Sequence, residues 1–122
     1  MENYRKEQMK LAVLYEVKPE PRKNGDIVSS AEHNVTPDER YLEMMLNGKQ
    51  TKGRKELQFI LYDFKKDNII ETVKRGLFRQ SDLAWNTLME IVYKFKGDIK
   101  SGKLKQDEII LTEEMQSKIN EI

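Results

Sequence analysis

The sequence predicts an α+β fold in which helix-turn-helix elements surround a central antiparallel sheet. Three observations support this class: short apolar runs typical of strands, longer segments with helical spacing that begin at capping residues, and two basic turns that contain glycine. With 122 residues, the chain is expected to be a single domain, 1–122. An internal duplication would divide it into halves, 10–66 and 67–122, that share one core.

The first third of the chain is predicted to contain two strands and a helix. Alternating apolar residues predict a strand at 11–17, and residues 26–29 are expected to return as a short second strand. The helix should begin at Thr36 as N-cap, with Glu39 completing a capping box. It should end near Asn47, just before a glycine.

The middle of the chain is predicted to alternate between strand and helix. Residues 49–55 resemble a basic hairpin tip with a glycine, and the nearly continuous apolar run at 57–64 predicts a buried strand. A short helix is expected at 68–75. A longer helix at 82–96 is expected to begin at Ser81 as N-cap.

The last third is predicted to hold a second basic tip at residues 100–105, a strand to Leu111, and a final helix after Thr112. The order helix, basic glycine turn, apolar strand thus occurs at 41–61 and again at 88–111. A tandem duplication is one interpretation, and independent recurrence of a common arrangement is the other. In a shared sheet, four alternating apolar side chains would meet in the core: Phe59, Leu61, Ile109 and Leu111.

The formal net charge of +1 conceals an uneven distribution. Residues 49–105 contain fourteen Lys or Arg against seven Asp or Glu, whereas residues 1–48 contain seven against nine and residues 106–122 one against five. Such a basic middle segment can attract polyanions although the whole molecule is nearly neutral. A solvated surface in a chain that is 35% charged is the alternative interpretation.

Residues suited to catalysis or metal binding are scarce. The chain has no Cys, which excludes disulfides, thiolate zinc sites and cysteine nucleophiles, and its one histidine, His33, lies in a predicted loop. No nucleotide-binding glycine loop or nucleophile elbow is present. We therefore predict no catalytic residue, no metal, no cofactor and no enzymatic activity.

The apolar segments are too short to cross a membrane, and charges throughout the first twenty residues are unlike a signal peptide. A cytoplasmic protein without membrane contact is expected.

Two aromatic pairs allow alternative interpretations. Trp85 and Tyr93, in the predicted helix at 82–96, could face a nucleic acid or lie at the edge of the core. Tyr62 and Phe64, which two lysines follow, could form a platform on which single-stranded bases stack, or could pack against helices.

Residues 67–111 combine a short helix, a turn, a longer helix and a hairpin with a lysine-rich tip. Because a helix fits the major groove of DNA and lysines at a hairpin tip can reach the phosphates, this order predicts binding to double-stranded DNA. The residues predicted to contact DNA lie at the two basic tips and around the start of the longer helix: Lys49, Lys52, Arg54, Lys55, Arg79, Gln80, Ser81, Asn86, Lys100, Lys103 and Lys105.

The segment LFRQSDLA at residues 77–84, the predicted hairpin, and ILTEE at residues 110–114 resemble winged-helix regulators and excisionase- or MerR-type modules. The paired layout is similar to the small TraN-type DNA-binding proteins of Gram-positive conjugative plasmids. This resemblance implies winged helix-turn-helix elements and an accessory or regulatory role in a mobile genetic element. Double-stranded DNA and other proteins of the same element would then be the partners.

A protein-binding module, such as a phage or plasmid inhibitor of a host complex, is the alternative function. The near-neutral charge, the acidic ends and six methionines favour it, because methionine-rich surfaces adapt to different partners.

Overall fold

The computed structural model describes residues 4–46 and 48–122. Within them the chain is α+β, with six α-helices and one three-stranded antiparallel sheet, as predicted for the class. In chain order the elements are α1 (Tyr4–Leu14), β1 (Arg22–Lys23), α2 (Asn24–Glu32), α3 (Glu39–Leu42), α4 (Lys52–Lys66), β2 (Ile70–Lys74), β3 (Leu77–Gln80), α5 (Ala84–Lys100), a 3₁₀ turn (Gln106–Glu108) and α6 (Glu113–Asn120).

Helix α1 replaces the strand predicted at residues 11–17. It packs against α2, α4 and α5, and every residue from Leu11 to Leu14 is buried. The last turn of α1 is buried on all sides and needs no polar face, so the 3.6-residue period is lost from this part of the sequence. The alternation of apolar residues here was therefore misleading, and the prediction was wrong.

The strand predicted at residues 26–29 is also wrong, because these residues belong to α2. Asn24 and Gly25, which suggested a turn, form the start of this helix, and the side chain of Asn24 accepts a hydrogen bond from the Gly25 amide at 2.7 Å. Ile27, Val28 and Ala31 then bury one face of α2.

The helix predicted from Thr36 is much shorter than expected. Asp38, and not Thr36, is the N-cap of α3, and its carboxylate accepts a hydrogen bond from the Tyr41 amide at 2.8 Å. This bond keeps the pKa of Asp38 below its usual value. Helix α3 ends at Leu42, which is exposed, so there is no apolar contact to continue it. The predicted helix end at Asn47 lies outside the described residues.

Helix α4 occupies the region predicted as a hairpin tip at 49–55 and a strand at 57–64. Thr51 caps it by accepting a hydrogen bond from the Arg54 amide at 3.2 Å. Its buried residues follow the helical spacing i, i+4, i+7: Leu57, Leu61 and Phe64, with Ile60 beside them. The apolar run looked like a doubly buried strand because two exposed aromatic residues fill the positions where a surface helix usually has polar ones.

A hairpin of β2 and β3 lies where a helix at 68–75 and a turn at 76–80 were predicted. Asp67 ends α4 and does not begin a new helix, and Asn68 has a positive φ of 62°. The residues that follow are rich in β-branched side chains, which favour strands. The sheet has the order β1-β3-β2, with Arg22 opposite Phe78 and Ile70 opposite Gln80. A central sheet was predicted, and this prediction was wrong. Most residues of the small sheet are exposed or half-buried, whereas the last turn of α1 is fully buried.

The predicted helix at 82–96 is confirmed as α5, although it continues past Gly97 to Lys100. Ser81 does not cap it directly. Its hydroxyl accepts a hydrogen bond from the Leu83 amide at 3.1 Å and donates to backbone carbonyls at the start of β2, so it organises the turn before the helix.

The second predicted hairpin, with its tip at residues 100–105 and a strand to Leu111, is wrong. Residues 101–105 form a turn that ends α5, the 3₁₀ turn follows, and Leu111 makes a single antiparallel bridge with Val35. The final helix is confirmed as α6, with Thr112 accepting a hydrogen bond from the Met115 amide at 3.1 Å. Segments 41–61 and 88–111 therefore differ in structure, and the repeated order that suggested a duplication is not observed.

One cluster of buried side chains extends from Met9 to Ile119 and includes residues from both segments 10–66 and 67–122. Of the four residues predicted to meet in the core, Leu61 and Leu111 are buried and Ile109 is half-buried, but Phe59 is 58% exposed. Phe59 is exposed because α4 turns it to the side opposite Leu57 and Leu61.

Two buried polar residues fasten the C-terminal segment to α1. The Gln8 side chain donates to the carbonyls of Tyr4 and Glu108 and accepts from the amides of Ile110 (2.6 Å) and Leu111 (3.2 Å). The Asn34 side chain donates to the Ala12 carbonyl at 3.1 Å, and the Asn34 backbone carbonyl accepts from the Thr112 amide at 3.0 Å. These bonds satisfy the buried amides directly, as burial requires.

Candidate nucleic-acid interface

Helix α4 presents a stripe of exposed or half-buried side chains opposite its buried face. The positions recur at helical spacing, with a lysine at each end and aromatic rings between, and we call them the outer stripe of α4: Lys52, Lys55, Phe59, Tyr62 and Lys66. The Nζ atom of Lys55 lies 5.0 Å from the centre of the Phe59 ring. Tyr62 is 48% exposed. The stripe offers cationic and aromatic groups along one line of the helix.

A cleft of about 160 Å³ separates α4 from the start of α2. Polar side chains and backbone form most of its rim, and its lining residues are Asn24, Gly25, Val28, Lys55, Gln58, Leu61 and Tyr62. Two residues of the outer stripe, Lys55 and Tyr62, therefore share one concave surface with the start of α2.

The turn between β2 and β3, residues 74–76, lies next to this cleft; we call it the hairpin turn. The carbonyl of Gly76 accepts a hydrogen bond from the Asn24 amide at 2.9 Å. Lys74 and Arg75 are exposed, as is Lys23 on the neighbouring strand β1. Three cationic residues thus lie at the end of the sheet that adjoins α2.

A network of side chains fixes the start of α4 against α2 and α3. Glu32 of α2 accepts hydrogen bonds from both the Tyr41 hydroxyl and the Arg54 guanidinium. Burial, together with the nearby Glu32 carboxylate, raises the pKa of Tyr41. Gly53 is packed so closely on the Tyr41 ring that an added Cβ would lie 1.9 Å from a ring carbon. The position of α4 therefore depends on a glycine at 53.

The basic residues predicted at 49–55 fall at the start of α4, but they do not act alike. Lys49 is exposed in the preceding turn. Lys52 forms an ion pair with Glu43 at 2.9 Å. Arg54 belongs to the network with Glu32, so its guanidinium is already paired within the chain. Lys55 alone of the four lines the cleft between α2 and α4.

The residues predicted at the start of the longer helix are dispersed. Arg79 lies on β3, where it pairs with Glu71 at 2.7 Å. Gln80 donates from its side chain to the Val17 carbonyl at 2.9 Å, and Ser81 organises the turn before α5. Asn86 is exposed on α5. Of these four side chains, those of Gln80 and Ser81 are bonded to backbone carbonyls and Arg79 is paired with Glu71, so only Asn86 keeps the exposed position that DNA contact would need.

The predicted basic tip at residues 100–105 is the turn after α5, which we call the α5 turn. Lys100, Lys103 and Lys105 are exposed there, and Leu104 is buried beneath them. The sequence that follows packs through the Gln8 bonds described above and through the amide of Thr36, which donates to the Ile110 carbonyl at 2.6 Å.

We call the outer stripe of α4, the cleft and the hairpin turn with the neighbouring Lys23 the α2–α4 surface. Several of its residues were not predicted: Lys23, Asn24, Gln58, Lys66, Lys74 and Arg75. The available signal was the pair Arg75-Gly76 between runs of β-branched and aromatic residues, which is typical of a hairpin. The proposed platform of Tyr62 and Phe64 does not exist, since Phe64 is buried whereas Tyr62 is exposed.

Within residues 4–46 and 48–122, no group of three or more His, Asp or Glu side chains is arranged to hold a metal ion. His33 is exposed after α2. In the part of the chain that the structure describes, every helix is too short or too polar to cross a membrane.

No protein-family model, curated protein or solved structure gives a significant match to this chain.

Proposed function

We propose that this protein is a winged-helix protein that binds double-stranded DNA, with α4 in the major groove and the hairpin turn against the adjoining phosphates. In this proposal it acts without enzymatic chemistry, as a small accessory or regulatory protein of a mobile genetic element. DNA is its main partner.

The order of elements supports the proposal. Residues 24–80 contain α2, the short α3, α4 packed against α2, and the hairpin of β2 and β3 directly after α4. This order is compatible with the helix, helix and hairpin layout that was predicted for residues 67–111. Strand β1 completes the sheet from the other side. In helix-turn-helix proteins the second helix of the pair enters the major groove, so α4 is the recognition helix in this proposal.

The single observation on which the proposal rests is the continuity of the α4 surface with the hairpin turn. The Asn24–Gly76 hydrogen bond holds that turn at the start of α2, and the cleft joins the start of α2 to Lys55 and Tyr62. A duplex seated on the outer stripe of α4 would therefore meet Lys74 and Arg75 beside it.

The chemistry of this surface fits the two parts of DNA recognition. Lys55, Lys66, Lys74 and Arg75 supply charge for phosphates, which gives affinity without sequence preference. Gln58, on the cleft side of α4, has the amide group that can pair with an adenine edge in the major groove. With 15 residues, α4 is roughly 22 Å long, which is enough to follow the groove across several base pairs.

The proposal is tested by fluorescence anisotropy with a labelled duplex of about two helical turns. The logarithm of the affinity should fall with the logarithm of the salt concentration with a slope of about −4 to −5, because each of about five neutralised phosphates contributes roughly −0.9. Lys55→Ala and Lys66→Ala should each weaken binding several-fold. Lys118→Ala, which removes a lysine paired with Glu114 on α6, is the matched control and should have no effect. If the duplex does not bind even at low salt, the proposal is wrong.

Exposed apolar residues favour a second candidate, the protein-binding module. Leu42 at the end of α3 is 57% exposed, and Met44 and Leu46, between α3 and α4, are 51% and 108% exposed. Such side chains commonly mark a protein contact. If DNA does not bind, a partner that is lost on Leu42→Ser and Met44→Ser would support this candidate.

A further inference from the structure

Helix α5 has a second apolar stripe besides the one that joins the core. Ala84, Leu88, Val92 and Phe95 are buried against the rest of the fold. On the adjacent face Trp85 is 56% exposed and Tyr93 is 65% exposed. Large exposed aromatic side chains on one helix face are typical of a surface that another molecule covers.

The chemistry of this stripe is symmetric about Met89. Trp85 and Tyr93 lie four residues before and after it, and Asp82 and Lys96 lie seven residues before and after it. Within α5, residues 85, 89, 93 and 96 fall on one helix face, and Asp82 lies in the turn two residues before the helix begins. We call these five residues the α5 stripe, which runs acid, aromatic, methionine, aromatic, base.

That order fits a two-fold axis at Met89. In a two-fold interface, residue i of one copy meets residue j of the other, and j meets i. Two antiparallel α5 helices crossing at Met89 would stack each Trp85 on Tyr93 of the second copy. They would also bring each Asp82 to Lys96 of the second copy. Within residues 4–46 and 48–122 neither Asp82 nor Lys96 forms an ion pair, so both charges are available to a second chain.

We propose that a second copy of this chain covers the α5 stripe and that the protein forms a two-fold homodimer through antiparallel α5 helices. The inference does not depend on DNA binding. From residue 85 to residue 96 the helical contact extends roughly 16 Å, and a single helix pair covers less than the ~800 Å² per partner of a standard interface. The dimer is therefore expected to be concentration-dependent and not obligate.

Trp85 is the only tryptophan of the chain, so its fluorescence reports directly on this interface. As the protein concentration rises through the micromolar range, we expect the emission to shift to shorter wavelength. Sedimentation equilibrium should show a monomer–dimer transition over the same range. Trp85→Ala should abolish the dimer, whereas Tyr62→Ala, which removes an exposed aromatic ring from α4, should leave it unchanged.

Charge reversal tests the register without altering the core. Asp82→Lys and Lys96→Asp should each weaken the dimer about tenfold, because two attractive contacts per dimer become two repulsive ones. The double variant should regain most of the affinity, since it exchanges the two charges. A protein that stays monomeric at every concentration, or a double variant that dimerises no better than the single ones, would overturn the proposal.

Discussion

The hairpin turn at residues 74–76 and the α5 turn at residues 100–105 have similar local chemistry and are held in different ways. Both combine a glycine of positive φ, 75° for Gly76 and 81° for Gly102, with exposed basic residues. The hairpin turn closes two paired strands and is bonded to the start of α2. The α5 turn ends a helix and leads into a segment without a paired strand, which Gln8 fastens to α1. A basic glycine turn therefore does not specify a hairpin; the flanking residues do.

The largest effect, on the free energy of unfolding, is expected from removing the Gln8 hydrogen bonds to the segment that follows the α5 turn. Gln8→Ala removes the four hydrogen bonds of a fully buried side chain and leaves the Ile110 and Leu111 amides and the Glu108 carbonyl without that partner. Each buried unpaired group costs about 1 to 3 kcal/mol, so we expect the free energy of unfolding in urea to fall by about 3 to 5 kcal/mol.

Gln116→Ala is the matched control for this change. It removes one hydrogen bond, from the Gln116 side chain to the Leu111 carbonyl at 2.9 Å, and should cost about 1 kcal/mol. Equal losses in the two variants would show that Gln8 is not the principal attachment. The same titrations test the predicted single domain: one transition in both variants agrees with it, and two resolved transitions would separate 10–66 from 67–122.

The sequence was most informative where local signals act without competition. Helix α5 was predicted from apolar residues at helical spacing, and α6 was predicted from Thr112, which caps it as expected. Helices α1 and α4 were mistaken for strands. Tertiary burial leaves the last turn of α1 without a polar face, and Phe59 and Tyr62 make the exposed side of α4 aromatic. Local pattern cannot distinguish these cases from strands.

The candidate site was only partly predictable for the same reason. Lys55 was identified because it belongs to a basic cluster in the sequence. Arg54 belongs to that cluster too, but it is bound to Glu32, which is 22 positions earlier. Lys74 and Arg75 lie near the cleft because the sheet has the order β1-β3-β2 and because the Gly76 carbonyl is bonded to the Asn24 amide. Contacts between residues far apart in the sequence determine which basic residues are exposed beside the cleft. Such contacts cannot be inferred from the local spacing of residues.

An effect of intermediate size on duplex affinity should distinguish the hairpin turn from the α5 turn. Lys74→Ala with Arg75→Ala is expected to weaken duplex binding about tenfold and to make the salt slope less steep by nearly 2, because two phosphate contacts are lost. Lys103→Ala with Lys105→Ala removes the same charge from the α5 turn and should change the affinity less than twofold. Anisotropy titrations at several salt concentrations measure both. The opposite ranking would show that the α5 turn contacts DNA, as the sequence alone suggested.

The smallest effects are expected from replacing the two glycines. These variants distinguish the cost of an unfavourable backbone conformation from a loss of duplex binding. A Cβ at Gly76 or Gly102 would meet no atom within 4 Å, so the cost of alanine at either position is purely conformational. A side chain in the left-handed region costs about 1 kcal/mol, and thermal unfolding should show about this loss for both Gly76→Ala and Gly102→Ala. Asparagine tolerates that region better than alanine, so the Asn variants should lose less.

Duplex affinity should fall two- to threefold for Gly76→Ala alone, because only that turn is joined to the α2–α4 surface through Asn24. If both alanine variants bind DNA as the unmodified chain does, the position of the hairpin turn does not matter for binding, and α4 alone would have to account for the affinity.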